Sequence, residues 1–130
     1  MLCACGSKQD YQLCCAPFLN AQAAPASAEQ LMRSRYVAYS QANIDYILAT
    51  MKGRALIDFN PALTKEWALS VKWLKLSVIA TKVLDCPNLA LVEFIAYYRS
   101  NNKKNQLHEI SEFSCENGQW LYLGHFQTDK

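Results

Sequence analysis

The chain has 130 residues, of which 52% are hydrophobic and 18% are charged. This size favours one domain with at most a small appendage and argues against a two-domain enzyme with a separate cofactor fold. The 13 basic and 11 acidic residues leave a net charge of +2, which is too small a surplus to indicate nucleic acid or an anionic membrane as a partner.

Cysteine is the unusual feature of the composition, because four of the six cysteines lie within the first fifteen residues. The N-terminus has no basic segment followed by an apolar one, and no run approaches the roughly eighteen apolar residues of a membrane span. We therefore expect a cytoplasmic protein that does not span a membrane. In a reducing compartment, clustered thiols are metal ligands or redox groups more often than disulfides. Cys86 and Cys115 lie in or beside predicted strands, where a free cysteine serves as a small hydrophobic residue.

The spacing of the first four cysteines predicts a metal site. Cys3 and Cys5 are separated by one residue, and Cys14 and Cys15 are adjacent. Four thiolates satisfy the tetrahedral preference of zinc, and Gly6 lets the backbone turn beside the second thiol. Since so short a segment cannot build a hydrophobic core, we expect one structural Zn²⁺ to replace it. A redox dithiol and unrelated free thiols are the alternatives, and the Cys-x-x-Cys that would favour redox chemistry is absent.

The chain divides into three parts with different compositions. Residues 1–19 are cysteine-rich, residues 20–27 form a linker of small residues, and residues 28–130 have the pattern of a folded domain. Within that domain helical patterns come first and strand patterns follow, which predicts an α+β fold rather than alternating βαβ units.

Three helices with recognisable caps are predicted in the first half of this domain. They run over about 28–40 after Ser27, from 44 to Gly53 after Asn43, and from Pro61 to Val71 after Asn60. Each cap carries a side-chain oxygen that can accept a hydrogen bond from a free helical N–H, and Gln30 completes a capping box with Ser27. In the first helix, the apolar positions leave Arg33 and Ser34 nearer to solvent.

From Trp73 onwards the hydrophobic pattern changes to period two, which predicts strands. The four predicted strands begin at Trp73 and then cover 89–99, 106–114 and 119–126, with turns at 85–88, 100–105 and 116–118. The result is a four-stranded antiparallel meander, which helices on one face would bury.

The N-terminal residues resemble a known motif. The residues Cys3-Ala4-Cys5-Gly6-Ser7, followed by Tyr11, Cys14 and Cys15, resemble the SEC-C motif, which is a small zinc-binding segment. The same motif occurs at the C-terminus of the SecA translocation ATPase, where it contacts a chaperone and ribosomes. The resemblance implies that Cys3, Cys5, Cys14 and Cys15 hold the zinc ion. Many members have proline where this chain has Ala4.

Most of the remaining chain resembles the YchJ family of uncharacterised bacterial proteins. The matching stretches are LMRSRY at 31–36, DYILAT at 45–50, WLKL at 73–76, LHE-x-S-x-F at 107–113 and GQW-x-Y at 118–122. That family joins a SEC-C segment to a nuclear-transport-factor-2-like (NTF2-like, also called cystatin-like) domain, a cone in which a curved sheet wraps around the first helix. Many relatives carry a second SEC-C segment at the C-terminus, which this chain does not contain.

A cone of this kind often encloses a pocket. Glu109 and Ser111 share a strand face with Phe113, which marks the core face, so we expect both to point inward. An inward carboxylate needs a partner, and Arg35 is better placed than Arg33. Glu109 is then either half of a buried structural ion pair or a base in a substrate site. The candidate pocket residues are Arg35, Tyr36, Trp67, Glu109, Ser111 and Trp120.

Two functions fit these features. The first is a non-enzymatic adaptor whose zinc segment contacts a protein partner, a chaperone, ribosome or translocation-related protein, as the SEC-C resemblance implies. The alternative is a small-molecule binding protein or enzyme that uses the interior of the cone. If no ligand binds there, the aromatic residues form part of the hydrophobic core. His125 is near the end of the last predicted strand and could approach the zinc segment, but four cysteines already complete a tetrahedral site. The exposed sheet face is a candidate homodimer surface.

Overall fold

The computed structural model describes residues 1–84 and 88–125, so Cys86 and most of the predicted turn at 85–88 lie outside the described residues. The N-terminal part contains a 3-10 helix (Tyr11–Leu13) and α1 (Ala16–Leu19). The helical part contains α2 (Ala28–Ser40), α3 (Ile44–Ala49), a second 3-10 helix (Gly53–Leu56) and α4 (Pro61–Ser70). The strands are β1 (Lys72–Val83), β2 (Leu89–Ser100), β3 (Lys103–Glu116) and β4 (Gln119–His125). None of the helices in the described ranges has the length and apolar character needed to cross a membrane.

The three predicted helix starts are confirmed by their caps. The side-chain oxygens of Ser27, Asn43 and Asn60 each accept a hydrogen bond from the backbone N–H three residues later, at 3.0 to 3.1 Å. The Gln30 side chain bonds the Ala26 N–H at 2.7 Å, so the reciprocal half of the capping box reaches one residue further back than predicted. Local polar groups therefore fix where each helix begins.

The four strands form one antiparallel sheet in the order β1-β2-β3-β4, as the meander prediction requires. Alternate residues of β2 are buried, and they define an inner face that packs on α2. The turn between β2 and β3 is shorter than predicted: Asn101 and Asn102 adopt positive φ, and residues 103–105 already pair in the strand. Asparagine tolerates this left-handed backbone, which permits a tight two-residue turn.

The pairing of β3 with β4 contains an irregularity that changes which face carries the last residues. Phe113 pairs with Tyr122, but Glu112 pairs with Gly124, so one residue of β4 is left over. After this bulge, His125 lies opposite Ser111 and therefore shares the inner face with it. A regular strand would place His125 on the opposite face from Tyr122.

The main core lies between α2 and the inner face of the sheet, and it includes Leu31, Val37, Val92 and Phe113. Ser34 is wholly buried in α2, so its predicted position near solvent is wrong. Its hydroxyl donates to the Leu31 carbonyl at 2.8 Å and lies 2.7 Å from the Tyr46 hydroxyl. These bonds satisfy the polar group, which permits its burial.

Candidate functional site

The four N-terminal cysteines converge because the chain turns sharply beside them. Gly6 adopts φ 84° directly after Cys5, and the Cys3 N–H bonds the Gln9 carbonyl at 2.8 Å. The 3-10 helix then ends at Cys14, and Cys15 precedes the first residue of α1. Two short loops thus present one pair of cysteines each.

The four sulfur atoms lie within 4.8 Å of one another. The Cys14 Sγ is 3.6 Å from Cys5 Sγ and 3.9 Å from Cys15 Sγ. Zinc–sulfur bonds of about 2.3 Å in a tetrahedron separate neighbouring sulfurs by about 3.8 Å. The donor set and its spacing therefore fit one tetrahedral zinc ion without rearrangement of the loops.

Proton sharing within the cluster separates the pKa values of its thiols. A hydrogen bond with Cys15, together with contacts to Ser7, lowers the pKa of Cys5 to about 4. The same bond with Cys5 and burial raise the pKa of Cys15, and burial raises the pKa of Cys3. The Ser7 hydroxyl lies 3.1 Å from Cys14 Sγ. At neutral pH the cluster therefore already holds one thiolate, which is the protonation state of a metal ligand.

The cysteine segment is attached to the core of the larger domain. Cys3, Cys5 and Cys15 are buried in the same hydrophobic cluster as Leu31 and Phe113. The prediction that a metal ion alone replaces a core is therefore incomplete, because the segment also buries surface against α2 and the sheet. Burial of this kind places the sulfurs even before an ion binds.

Arg33, which the helical pattern places near solvent, belongs to the site. Its Nη1 donates to the Cys5 carbonyl oxygen at 2.6 Å and its Nε donates to Glu29 at 3.0 Å. Burial would lower the pKa of Arg33, but the Glu29 hydrogen bond and the Cys5 charge outweigh it and raise the pKa. Helical periodicity alone could not find this contact, because it depends on how the cysteine loop packs on α2.

A cavity of about 180 Å³ lies between α2, α4 and the inner face of the sheet. Five of the six residues predicted from the sequence line it: Arg35, Tyr36, Trp67, Glu109 and Ser111. The other lining residues are mainly apolar: Met32, Tyr39, Trp73, Phe94, Ala96, Leu107 and Tyr122. The structure therefore brings the predicted carboxylate, guanidinium and aromatic groups around one space.

Trp120 was predicted to line the cavity but does not. It pairs with Cys115, whereas the cavity-lining Tyr122 pairs with Phe113. Glu109 is six residues before Cys115 on β3, which is about 20 Å of extended strand. Trp120 lies at the far end of the sheet and packs against the hydrophobic core instead.

The predicted ion pair between Glu109 and Arg35 is absent from the described residues. Arg35 is 4% exposed, and its Nη1 donates to the Ile47 carbonyl at 2.9 Å and to Thr50 Oγ1 at 2.7 Å. Burial lowers the pKa of Arg35. Ile47 lies in the last turn of α3, where carbonyl groups lack the regular N–H partner four residues later and carry partial negative charge. This helix end, rather than a carboxylate, attracts the guanidinium.

Glu109 lies near His125 instead. Its Oε2 is 3.5 Å from His125 Nδ1, and its side chain is 17% exposed. The bulge in β4 makes this contact, since it turns His125 to the inner face. His108 points to the outer face, where its Nε2 lies 2.7 Å from Glu93.

Comparisons with known proteins agree with this architecture. Residues 27–124 match the family described as "YchJ, middle NTF2-like domain". A UPF0225 protein of Actinobacillus succinogenes is 35% identical over 122 residues, which cover 94% of this chain and 79% of that protein. A UPF0225 protein of Geobacter sulfurreducens is 38% identical, over 93% of this chain and 76% of its own length.

A solved structure extends the similarity to the cysteine segment. The SEC-C motif-containing protein RPA3114 from Rhodopseudomonas palustris superposes with a TM-score of 0.88 and 33% sequence identity. The match covers 99% of this chain and 100% of that one, so both the segment and the sheet domain are included. The chain therefore belongs to the YchJ-like family, in which a SEC-C motif accompanies an NTF2-like domain.

Proposed function

We propose that the protein is a zinc-binding, non-enzymatic adaptor whose metal-bound SEC-C segment contacts a protein partner. The observation that carries the proposal is the convergence of four cysteine sulfurs within 4.8 Å. The reducing cytoplasm is the compartment in which these thiols would stay available for a metal.

Cys3, Cys5, Cys14 and Cys15 would hold the ion. Four protein ligands complete a tetrahedral shell and leave no position for water or substrate, which is typical of structural rather than catalytic zinc. Zinc, when bound, supplies a cross-link between the loop of residues 3–6 and the loop that ends at 15. The cross-link makes a small surface rigid, and a rigid surface loses less conformational entropy when a partner binds it.

The segment also offers an apolar side chain for such a contact. Leu13 precedes Cys14 and is 81% exposed. It belongs to the 3-10 helix that Asp10 caps through a 2.9 Å hydrogen bond to the Gln12 N–H. A bound metal at Cys14 would therefore fix the orientation of Leu13, which couples metal occupancy to the shape of the contact surface.

Elemental analysis of the native protein tests the metal. We expect one zinc per chain, and Cys14→Ser should lose most of it because one of four ligands is removed. Cys115→Ser is the matched control, since Cys115 lies on β3 outside the cluster. A stoichiometry far below one in protein purified without chelator would refute the zinc assignment.

Co-sedimentation with purified bacterial ribosomes, and affinity measurements with a purified translocation chaperone, test the partner class. We expect Leu13→Ser to keep its zinc but weaken binding at least fivefold. Ile57→Ser is the control, because Ile57 is equally apolar and 77% exposed but lies outside the segment. Binding to neither partner, or equal losses in both variants, would overturn the adaptor proposal while leaving the zinc result intact.

A further inference from the structure

The cavity holds a carboxylate that accepts no hydrogen bond from the described residues. Glu109 lines the cavity, and the nearest positively ionisable group among the described residues is the His125 imidazole, 3.5 Å away. A largely buried carboxylate is unfavourable without hydrogen bonds or an opposite charge. The position of Glu109 therefore favours a ligand that can donate to it.

Arg35 lines the same cavity, but its Nη1 is already engaged by two acceptors. Its Nη1 donates to the Ile47 carbonyl and to Thr50 Oγ1, and its guanidinium carbon lies 4.5 Å from the centre of the Tyr122 ring. Both acceptors and the ring face stabilise a cation at that point. Among the described residues Glu109 accepts no hydrogen bond, whereas Arg35 donates two, so the carboxylate is the cavity group with open hydrogen-bonding positions.

Aromatic rings form the rest of the wall near α2 and α4. Trp67 and Trp73 meet nearly perpendicularly, at 86° with centres 5.1 Å apart, and Tyr36 meets Trp73 at 85°. The Trp73 indole N–H donates to the Ala68 carbonyl, so this ring offers its π surface rather than its polar edge. Aromatic faces carry negative electrostatic potential and attract organic cations.

We infer that the cavity binds a compact primary amine, whose ammonium group is held by Glu109 and whose hydrocarbon part lies against Trp67, Trp73 and Tyr36. The size fits a molecule of one ring: an apolar protein cavity of about 150 Å³ accommodates benzene, and this cavity has about 180 Å³. This function is independent of the zinc segment.

Three probes of nearly equal size separate the contributions of charge and shape. Benzylamine is a cation at neutral pH, benzyl alcohol is neutral and benzoate is an anion. Calorimetric titration into the full-length protein should give one saturable site for benzylamine, with a Kd at least tenfold lower than for benzyl alcohol. Benzoate should bind more weakly than both. A tighter site for benzoate would show that Arg35 controls the cavity, and equal affinities or no binding would likewise overturn the inference.

Two matched variants locate the effect. Glu109→Gln should raise the Kd of benzylamine at least tenfold, while the Kd of benzyl alcohol should change by less than twofold. Glu93→Gln is the control, since Glu93 pairs with His108 on the outer face of the sheet; an equal effect in this variant would refute the site. Trp67→Leu provides an independent check, because Trp67 lines the cavity and is partly exposed. This variant should raise the Kd of benzylamine at least threefold. Unchanged affinity in Trp67→Leu would overturn the aromatic contribution to the inferred site.

Discussion

Arg33 donates a hydrogen bond from Nη1 to the carbonyl oxygen of Cys5 at 2.6 Å. The same side chain is held by Glu29, one turn earlier on α2, at 3.0 Å. The bond joins residues 28 positions apart in the sequence, so a helix of the sheet domain fixes the backbone beside a metal ligand. The geometry of the sulfur cluster therefore depends on a residue outside the cysteine segment.

Arg33→Met should loosen the cluster while keeping the helix. Methionine retains much of the aliphatic stem but removes the donor to Cys5. Hydrogen bonds from charged groups contribute about 1.5 to 3 kcal/mol, and partial exposure of Arg33 reduces this, so we expect a loss of about 1 to 2 kcal/mol in unfolding free energy. Zinc transfer to a colorimetric chelator should become several times faster. Arg99→Met is the control because Arg99 is exposed on β2; identical transfer rates in both variants would contradict the proposed role.

Zinc binding should release protons in a number set by the thiol pKa values. Cys5, with a pKa of about 4, is already a thiolate at pH 7 and releases none. Cys3 and Cys15 have raised pKa values and keep their protons in the metal-free protein, so zinc must displace at least two. Apparent zinc affinity should therefore fall as pH falls. Calorimetry in two buffers with different ionisation enthalpies counts the protons, and a value near zero would argue against these protonation states.

Gly6 and Gly118 allow a matched test of the cysteine loop. Both have positive φ, 84° and 80°. A Cβ at Gly6 would lie 2.9 Å from the Leu76 carbonyl oxygen, whereas a Cβ at Gly118 meets open space. Gly118→Ala should therefore lower the unfolding free energy only by the cost of a left-handed alanine, about 1 kcal/mol. Gly6→Ala should lower it by at least about another 1 kcal/mol, because the backbone must move away from the new Cβ. Equal losses by urea denaturation would show that the approach to Leu76 is unimportant.

The elements that were predictable from the sequence depend on local chemistry. Ser27, Asn43 and Asn60 fix helix starts through bonds three residues away, and alternation along β2 reports its buried face directly. The convergence of the cysteines likewise depends on a local feature, the backbone turn at Gly6. The α+β class and the cysteine cluster could therefore be inferred before any tertiary contact was known.

The misplaced residues depend on contacts between distant segments. His125 reaches the inner face because β4 carries one more residue than β3 across the bulge, and counting along one strand cannot show a mismatch with its partner. Arg35 binds the end of α3 rather than Glu109 because the orientation of α3 is set by packing. Periodicity identifies which face a side chain occupies, but it does not choose among partners on that face.

The hydrogen bond between Arg35 and Thr50 should contribute measurably to the stability of the sheet domain. Thr50 is buried, accepts from Arg35 at 2.7 Å and donates to the Tyr46 carbonyl at 2.8 Å. Thr50→Val preserves the shape but leaves one N–H of a buried guanidinium without an acceptor, which costs about 1 to 3 kcal/mol. Thr81→Val, on the exposed part of β1, should change the unfolding free energy by less than about 0.5 kcal/mol.

Glu109→Gln separates this arrangement from the ion pair that the sequence suggested. If Arg35 depended on Glu109, neutralising the carboxylate would destabilise the protein at least as strongly as Thr50→Val, because breaking a buried pair by removing one partner costs about 3 to 5 kcal/mol. Because Arg35 instead binds Ile47 and Thr50, we expect Glu109→Gln to keep the unfolding free energy within about 0.5 kcal/mol. Urea denaturation of the two single variants and the double variant, with additive losses expected for sites that do not share a bond, distinguishes the two arrangements.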